Sequence, residues 1–157
     1  MKALIVSMLI FGLSVSCVSA GEKKPIEPTP QDKCPVCGMF VARFPDFLAQ
    51  VIFKDGSYAV FDGAKDMFKY YLDMARYNPA KKESDIDSIY MMDYYTLTPI
   101  DGLKAYYIIG SDMYGPMGKE LIPFEKEADA QEFMKNHHGK SMVKFGEVTT
   151  AMLKEMD

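Results

Sequence analysis

The sequence predicts an α+β protein with two related ββαβ units packed together, preceded by a signal peptide and a Pro-rich tether. Apolar and alternating runs bounded by turn residues indicate strands, and they recur in the order strand, strand, helix, strand in each half of the chain. The 157 residues, of which 48% are hydrophobic, allow one compact core or two small ones. Because one ββαβ unit alone buries little apolar surface, we expect the two units to share a core or a continuous sheet.

The N-terminus has the anatomy of a secretory signal peptide. A basic residue precedes an apolar run at residues 3–13, and small residues then lead to Ala20. The run is too short to span a bilayer, so we expect an exported, periplasmic protein without a transmembrane helix. Cleavage after Ala20 gives a signal peptide at 1–20. In the alternative, residues 1–16 are removed because the sequence before Cys17 resembles a lipobox, and an acylated Cys17 would anchor the protein to the membrane.

Residues 21–32 form the predicted tether. Three prolines alternate with charged residues in this segment, a composition that favours an extended and solvated chain over a packed element. If Cys17 is acylated, the segment would be the spacer between the membrane and the domain.

The first ββαβ unit is predicted at residues 33–98. Asp55-Gly56 is a strong hairpin signal between two strands. Asn78-Pro79 is expected to stop the helix that follows them. The elements expected here are strands at 47–53 and 57–61, a helix after Asp62, a polar connector at 80–87 and a strand at 90–98.

The second ββαβ unit is predicted at residues 99–157. Pro123 marks its short second strand as an edge strand, because proline has no backbone N–H to donate to a neighbouring strand. Gly139 is expected to close its helix. The elements expected here are a turn at 99–102, strands at 104–109, 121–124 and 142–148, and a helix at 127–136.

The composition is rich in sulfur and poor in basic residues. There are 13 Met against 3 Cys and 2 His, and the formal net charge is −4. The chain has no excess of basic residues to bind phosphate groups, so we do not expect a nucleic-acid partner. No Ser-His-Asp set is evident either, so we expect a protein that is not an enzyme and has no catalytic residues.

Cys34, Cys37 and Met39 form the most informative cluster in the sequence. Two thiols three positions apart can face one point, which suits a redox disulfide, half of a zinc site or a soft-metal site. Position 38 is Gly instead of the His that c-type haem attachment needs. A second Cys pair for zinc is missing, and the context is not the strand-to-helix junction of a thioredoxin-like site. Thiolate and thioether sulfurs select Cu(I), which favours the soft-metal interpretation.

Further candidate ligands lie elsewhere in the chain. Met117 sits in a loop between Gly and Pro residues, where packing explains a methionine poorly, and Met113 precedes the same loop. For His138 a capping or solvent-facing role is favoured, with metal ligation as the alternative. Packing accounts for Met67, Met74, Met91, Met92, Met134 and Met142. Turn, cap and surface roles are expected for Asp62, Asp66, Asp93 and Asp112.

The motifs together resemble those of the NosL family. Residues 34–39 read CPVCGM and residues 116–124 read PMGKELIPF, and these two signatures make the match specific. Shorter matches are FKDG at 53–56, FD at 61–62, AYYIIGS at 105–111 and AQEF at 130–133. They follow one another in the family's order from about residue 32 to 148.

This resemblance implies an exported and usually lipid-anchored Cu(I) chaperone with two related ββαβ units. Such proteins serve assembly of the copper-sulfide centre of nitrous oxide reductase, so the expected partner is the apo-reductase or its maturation machinery. Cys34, Cys37, Met39 and Met117 are then the expected Cu(I) ligands. A periplasmic thiol-disulfide oxidoreductase and a zinc-stabilised interaction module remain the alternative functions.

Overall fold

Short strands and helices alternate along residues 23–157, the part of the chain that the computed structural model describes. The predicted signal peptide and Cys17 lie outside the described residues. Among residues 23–157, none of the helices has the length and apolar character needed to cross a membrane. The α+β class is confirmed.

The first sheet has four antiparallel strands in the order β2-β1-β3-β4. All five residues of β1 are buried, since the strand lies inside the sheet and is covered by a helix. The predicted β1–β2 hairpin is confirmed, and its turn needs Gly56 because φ there is +89°. The strands are β1 (Ala49–Phe53), β2 (Tyr58–Phe61), β3 (Ile86–Met92) and β4 (Pro99–Asp101).

Two predictions for this sheet are wrong. The third strand, expected at 90–98, is β3 and begins at Ile86, directly after a 3-10 turn at Glu83–Asp85. It ends at Met92 because the Asp93 carboxylate accepts hydrogen bonds from following backbone N–H groups and turns the chain. The expected turn at 99–102 is mostly strand β4, which pairs with β3.

The second sheet has three antiparallel strands in the order β8-β5-β9. β8 lies at an edge, as Pro123 predicts. The last strand is shorter than expected because a 3-10 turn begins at Phe145. A two-stranded hairpin in the loop after β5 was not predicted. The strands are β5 (Tyr106–Ile109), β6 (Tyr114–Gly115), β7 (Gly118–Lys119), β8 (Ile122–Phe124) and β9 (Ser141–Lys144).

The described residues also form four α-helices: α1 (Ala64–Leu72), α2 (Met74–Tyr77), α3 (Glu127–Asn136) and α4 (Thr150–Glu155). The bounds of α3 are those predicted, while α4 was missed. α1 packs on β1, β2 and α4, and α3 packs on the second sheet. In each sheet the first strand of the unit lies between its second and third strands.

The core is shared between the two halves, although the two sheets are separate. One large cluster joins α1 and the first sheet to Tyr107, Leu121 and Val143 of the second half. A smaller cluster lies under α3 around Phe124 and Phe133. The packing methionines are buried in or against these clusters: Met67, Met74, Met91, Met92, Met134 and Met142.

The described part of the Pro-rich segment contacts the first sheet, which corrects the expectation of a solvated chain for its first residues. The Ile26 backbone N–H and C=O both bond to the Gln50 side-chain amide at 2.8 Å. The Lys23 ammonium donates to the carbonyl of Phe53 at 2.9 Å. The segment therefore lies against the first sheet at Lys23 and Ile26, where it forms these hydrogen bonds.

Candidate metal centre

A tight loop carries the two cysteines. Lys33 and Phe40 pair as an isolated antiparallel bridge at its base. Within the loop, the Cys34 N–H donates to the Met39 carbonyl, and the Gly38 N–H donates to the Cys34 carbonyl, both at 2.9 Å. Gly38 has φ of +80°, in the left-handed region where glycine is favoured. The sequence CPVCGM thus folds into a knuckle, residues 33–40, which turns both thiols to one side.

Two carboxylates face the knuckle. Asp62 follows the end of β2, and Asp66 lies in the first turn of α1, four positions later. Asp62 lies before the helix, next to the N-cap residue Gly63. Both side chains are buried, with exposed fractions of 1% and 3%.

The two thiols and the two carboxylates form one cluster of donor atoms. The Cys34 thiol donates to Asp66 Oδ2 at 3.4 Å, and the Cys37 thiol donates to Asp62 Oδ1 at 3.1 Å. One donor atom from each of the four residues lies within 4.8 Å of the other three. Cys34 is buried and Cys37 is half-buried, and both are free thiols. The cluster is therefore assembled at the edge of the core and opens to solvent on the Cys37 side.

Burial keeps both thiols protonated when no metal is bound. Desolvation is the largest cause of the raised pKa values: the pKa of Cys37 rises to about 12, and that of Cys34 rises well above its ordinary value. The neighbouring carboxylates raise both pKa values further. Backbone N–H groups within the knuckle, at Val36, Cys37 and Met39, lower them in part.

One atom of the cluster lacks a partner. Asp62 Oδ2 is buried and makes no hydrogen bond within the described part of the chain. Buried carboxylate oxygens are normally hydrogen-bonded, paired or bound to a metal ion. A cation between the thiols and Asp62 would satisfy this oxygen, so the cluster fits a bound metal ion.

The hairpin β6–β7 contacts α1 next to this cluster. The Lys65 ammonium donates to the Met117 carbonyl at 2.9 Å, and Lys65 immediately precedes Asp66. This contact brings the main chain of Met117 to the helix turn that carries Asp66. The Met117 side chain is 43% exposed at the tip of the hairpin.

The remaining candidate ligands lie in different surroundings. Met39 is half-buried inside the knuckle and follows Cys37 by two positions. Met113 packs against the smaller core cluster. His138 is exposed at the end of α3 with φ of +54° and is not part of the thiol and carboxylate cluster.

Sequence reasoning missed the two carboxylates. Turn, cap and surface roles were expected for them, but Gly63 occupies the N-cap position of α1 and both aspartates are buried. The expectation was reasonable for Asp93, which turns the chain, and for Asp112, which lies at the surface beside His137. The signal that could have found Asp62 and Asp66 was their four-residue spacing directly after a strand, where the chain enters α1.

Fold and site together define a class of protein: a small α+β domain with a thiol pair held against two buried carboxylates, which suits the binding of one metal ion. The family model NosL matches residues 25–153. The chain therefore belongs to the NosL family, and the resemblance seen in the sequence motifs is confirmed.

Two relatives illustrate this membership. The copper-binding lipoprotein NosL of Stutzerimonas stutzeri is 28% identical over 167 residues, which cover 97% of this chain and 82% of that protein. The crystal structure of the copper chaperone NosL from Shewanella denitrificans matches with a TM-score of 0.69 and 25% identity, over 82% of this chain and 98% of that chain. One relative is named as a copper-binding lipoprotein and the other as a copper chaperone, and neither is named as an enzyme.

Proposed function

We propose that this protein is an exported Cu(I) chaperone, in which Cys34 and Cys37 bind the ion and a partner protein receives it. The observation that carries the proposal is the thiol pair packed against Asp62 and Asp66, with one face open to solvent. The names of two relatives, a copper-binding lipoprotein and a copper chaperone, support copper as the metal.

The donor types explain the choice of Cu(I). Thiolate and thioether sulfurs are soft ligands and select Cu(I) over harder divalent ions. Met39 in the knuckle and Met117 on the hairpin are the thioethers that we propose complete the sulfur set. Each thiol that binds the ion releases its proton to a neighbouring carboxylate or to water, and no electron is transferred.

Thiols that are protonated in the metal-free protein suit a protein that carries an ion and then releases it. When a partner removes Cu(I), the thiols regain protons and again donate to Asp62 and Asp66, so no bare thiolate remains in the core. The half-buried Cys37 gives an incoming partner ligand access to the ion. We propose that apo-nitrous oxide reductase or its maturation machinery is the recipient, which is the partner that the resemblance to the NosL family implies.

The raised thiol pKa values argue against the oxidoreductase alternative. Redox-active cysteines react as thiolates and have lowered pKa values in electropositive surroundings. Here desolvation and two carboxylates raise the pKa of Cys37 to about 12. Zinc remains the second candidate, because two thiolates and two carboxylate oxygens are also a zinc donor set.

Anaerobic titration with Cu(I) against a calibrated competing chelator tests the proposal. We expect tight 1:1 or higher binding by the domain spanning residues 23–157 and a large loss of affinity in Cys37→Ser. Met39→Leu and Met117→Leu should each weaken binding by a smaller factor. Met113→Leu is the matched control, because Met113 packs against the smaller core cluster and should keep the original affinity. Unchanged affinity in Cys37→Ser would rule out the proposed site.

The same samples separate the alternatives. Reduction of a disulfide substrate with turnover would support an oxidoreductase. Folding that is lost on chelation and restored only by zinc would support a zinc-stabilised module. Delivery is tested by incubating the Cu(I)-loaded protein with apo-nitrous oxide reductase and measuring the copper that the enzyme gains, with Cys37→Ser as the control.

Export and anchoring need a separate test. We propose that the leader is removed and that Cys17, if acylated, anchors the domain, as the name of the lipoprotein relative supports. Mass spectrometry of the protein purified from membrane and periplasmic fractions distinguishes the two cleavage sites. An acylated N-terminal cysteine supports anchoring, and an N-terminus at residue 21 supports a soluble form.

A further inference from the structure

Two buried charged residues connect the β6–β7 hairpin to α1. Glu120 Oε1, just after the hairpin, accepts hydrogen bonds from the Lys65 and Leu121 backbone N–H groups at 2.5 Å and 2.9 Å. In the opposite direction, the Lys65 ammonium donates to the Met117 carbonyl at 2.9 Å. Each residue thus satisfies a backbone group of the other's segment, and we name this reciprocal pair the Lys65–Glu120 latch.

The burial of the latch is unusual for charged side chains. Lys65 and Glu120 are 2% and 3% exposed, and residues of these types are rarely buried unless their polar atoms are partnered. Gly63, the N-cap of α1, supplies no side-chain cap, so the Glu120 carboxylate takes that place from 55 residues away in sequence.

Two glycines make room for the Glu120 side chain. A Cβ atom on Gly63 would lie 2.1 Å from Glu120 Oε2, and one on Gly115 would lie 3.0 Å from the same carboxylate oxygen. Neither residue has φ in the left-handed region, so backbone conformation does not require glycine at these positions. The close approach of Glu120 explains both.

The position of the latch relates it to the metal centre. Lys65 precedes Asp66 and lies three residues after Asp62, so Glu120 caps the helix turn that carries Asp66 and that begins just after Asp62. The carbonyl that Lys65 binds belongs to Met117, the candidate thioether ligand. The latch therefore joins the hairpin of a candidate sulfur donor to the start of α1, beside the two carboxylates.

We propose that Lys65 and Glu120 are positioning residues of the copper site, which hold the Met117 hairpin against the first turn of α1. This inference rests on the proposed function. Without the latch, the hairpin would sample other positions and Met117 would contribute less to Cu(I) binding. Loss of a residue that orients metal ligands commonly lowers affinity by about 10- to 100-fold.

A double-mutant cycle tests this role. Glu120→Ala and Met117→Leu should each lower Cu(I) affinity by about tenfold, and the double variant should lose no more than either single variant. Glu120→Gln keeps an acceptor oxygen and should restore most of the affinity. Lys69→Met is the control, because Lys69 lies one turn further along α1 and bonds to Asp157 instead of the hairpin. Original affinity in Glu120→Ala, or losses that multiply in the double variant, would overturn the proposal.

A copper-independent measurement separates this inference from the proposed function. Amide hydrogen exchange of residues 114–119 in the metal-free protein should be faster in Glu120→Ala and Lys65→Met than in Lys69→Met. If the unchanged protein fails to bind Cu(I), the proposed function falls, and exchange still decides whether the latch holds the hairpin. Should Glu120→Ala not fold, Lys65→Met takes its place in the cycle, and equal exchange in Lys65→Met and Lys69→Met would refute the latch.

Discussion

Two helices of this molecule begin alike and meet different neighbours. α1 and α3 each start three residues after a strand that ends at phenylalanine, Phe61 or Phe124. Acidic residues follow at matching positions, which are Asp62 and Asp66 in the first half and Glu125 and Asp129 in the second. The first pair is buried beside the thiols, whereas Glu125 is exposed and Asp129 half-buried. The knuckle that covers the start of α1 makes this difference, so the candidate metal centre depends on the knuckle at one helix start and is not a property of the ββα arrangement itself.

The buried carboxylates of Asp93 and Asp62 differ in how many of their oxygen atoms are hydrogen-bonded. Asp93 is 1% exposed, and its two oxygens accept backbone hydrogen bonds from Tyr95, Thr96 and Glu125 at 2.7 to 3.0 Å. Asp62 is equally buried but has one oxygen without a partner. A carboxylate that serves structure is fully hydrogen-bonded, and one kept for a ligand is left with capacity to bind.

The largest expected effect is on stability and should be the same in both halves. Phe61→Ala and Phe124→Ala each remove a fully buried ring, so each should lower the free energy of unfolding by about 3–5 kcal/mol. Urea unfolding of the metal-free proteins measures this. Of the two, Phe61→Ala alone should also weaken Cu(I) binding, because Phe61 precedes Asp62. Equal loss of copper affinity in Phe124→Ala would contradict the assignment of the site to the first half.

The next largest effect should be on Cu(I) affinity, and it should differ between the acidic pair at the start of α3 and the pair beside the thiols. Asp62→Asn and Asp66→Asn should lower Cu(I) affinity by about 10- to 100-fold, because they orient or assist the thiolates. Glu125→Gln and Asp129→Asn, at the matching positions, should leave affinity unchanged. Competitive titration of all four variants measures the difference. If the second pair affected copper affinity as strongly as the first, long-range charge would replace local geometry as the explanation.

A pH dependence should follow from Glu120, the buried carboxyl that caps α1. Burial raises its pKa from 4.5 to about 8, although two backbone N–H groups and Lys65 oppose the shift. A carboxyl with a raised pKa in the folded state favours folding at low pH, and this contribution is lost as pH rises from about 4.5 to 8. The free energy of unfolding should therefore fall across that range by up to about 1.4 kcal/mol per pH unit.

Glu120→Gln tests the sign of this dependence. The variant should flatten the decline between pH 4.5 and 8, as measured by urea unfolding at several pH values. Glu125→Gln is the control, because Glu125 is exposed at the start of α3 and should leave the slope unchanged. A slope that persists in Glu120→Gln would assign the effect to another group.

Local signals predicted much of this fold. The Asp55-Gly56 hairpin, the edge strand with Pro123 and the bounds of α3 follow from turn chemistry and helical periodicity, which act over a few residues. The end of β3 was misplaced because the Asp93 carboxylate turns an apolar run that otherwise predicts a strand. The β6–β7 hairpin has only two residues in each strand, too few for a periodic pattern.

The site, like the fold, was predictable only where the signal is local in the sequence. Cys34 and Cys37 were singled out because their spacing is local, and the knuckle places the two thiols close together. Asp62 and Asp66 join them only through tertiary packing of α1 against residues about 30 positions earlier. The Lys65–Glu120 latch spans 55 positions, and no pattern in the sequence pairs such residues.

The smallest expected effect contrasts the caps of the two helices. Lys126, the N-cap of α3, has extended backbone angles and makes no side-chain cap, so Lys126→Ser should stabilise the protein by about 0.5–1 kcal/mol. Gly63→Ser at the N-cap of α1 should instead destabilise it, because the new Cβ would meet the Glu120 carboxylate. Thermal unfolding measures both, with Thr149→Ala at the capped helix α4 as the reference for losing a cap. Stabilisation by Gly63→Ser would mean that Glu120 does not occupy the start of α1, and the contrast between the two helices would lose its structural basis.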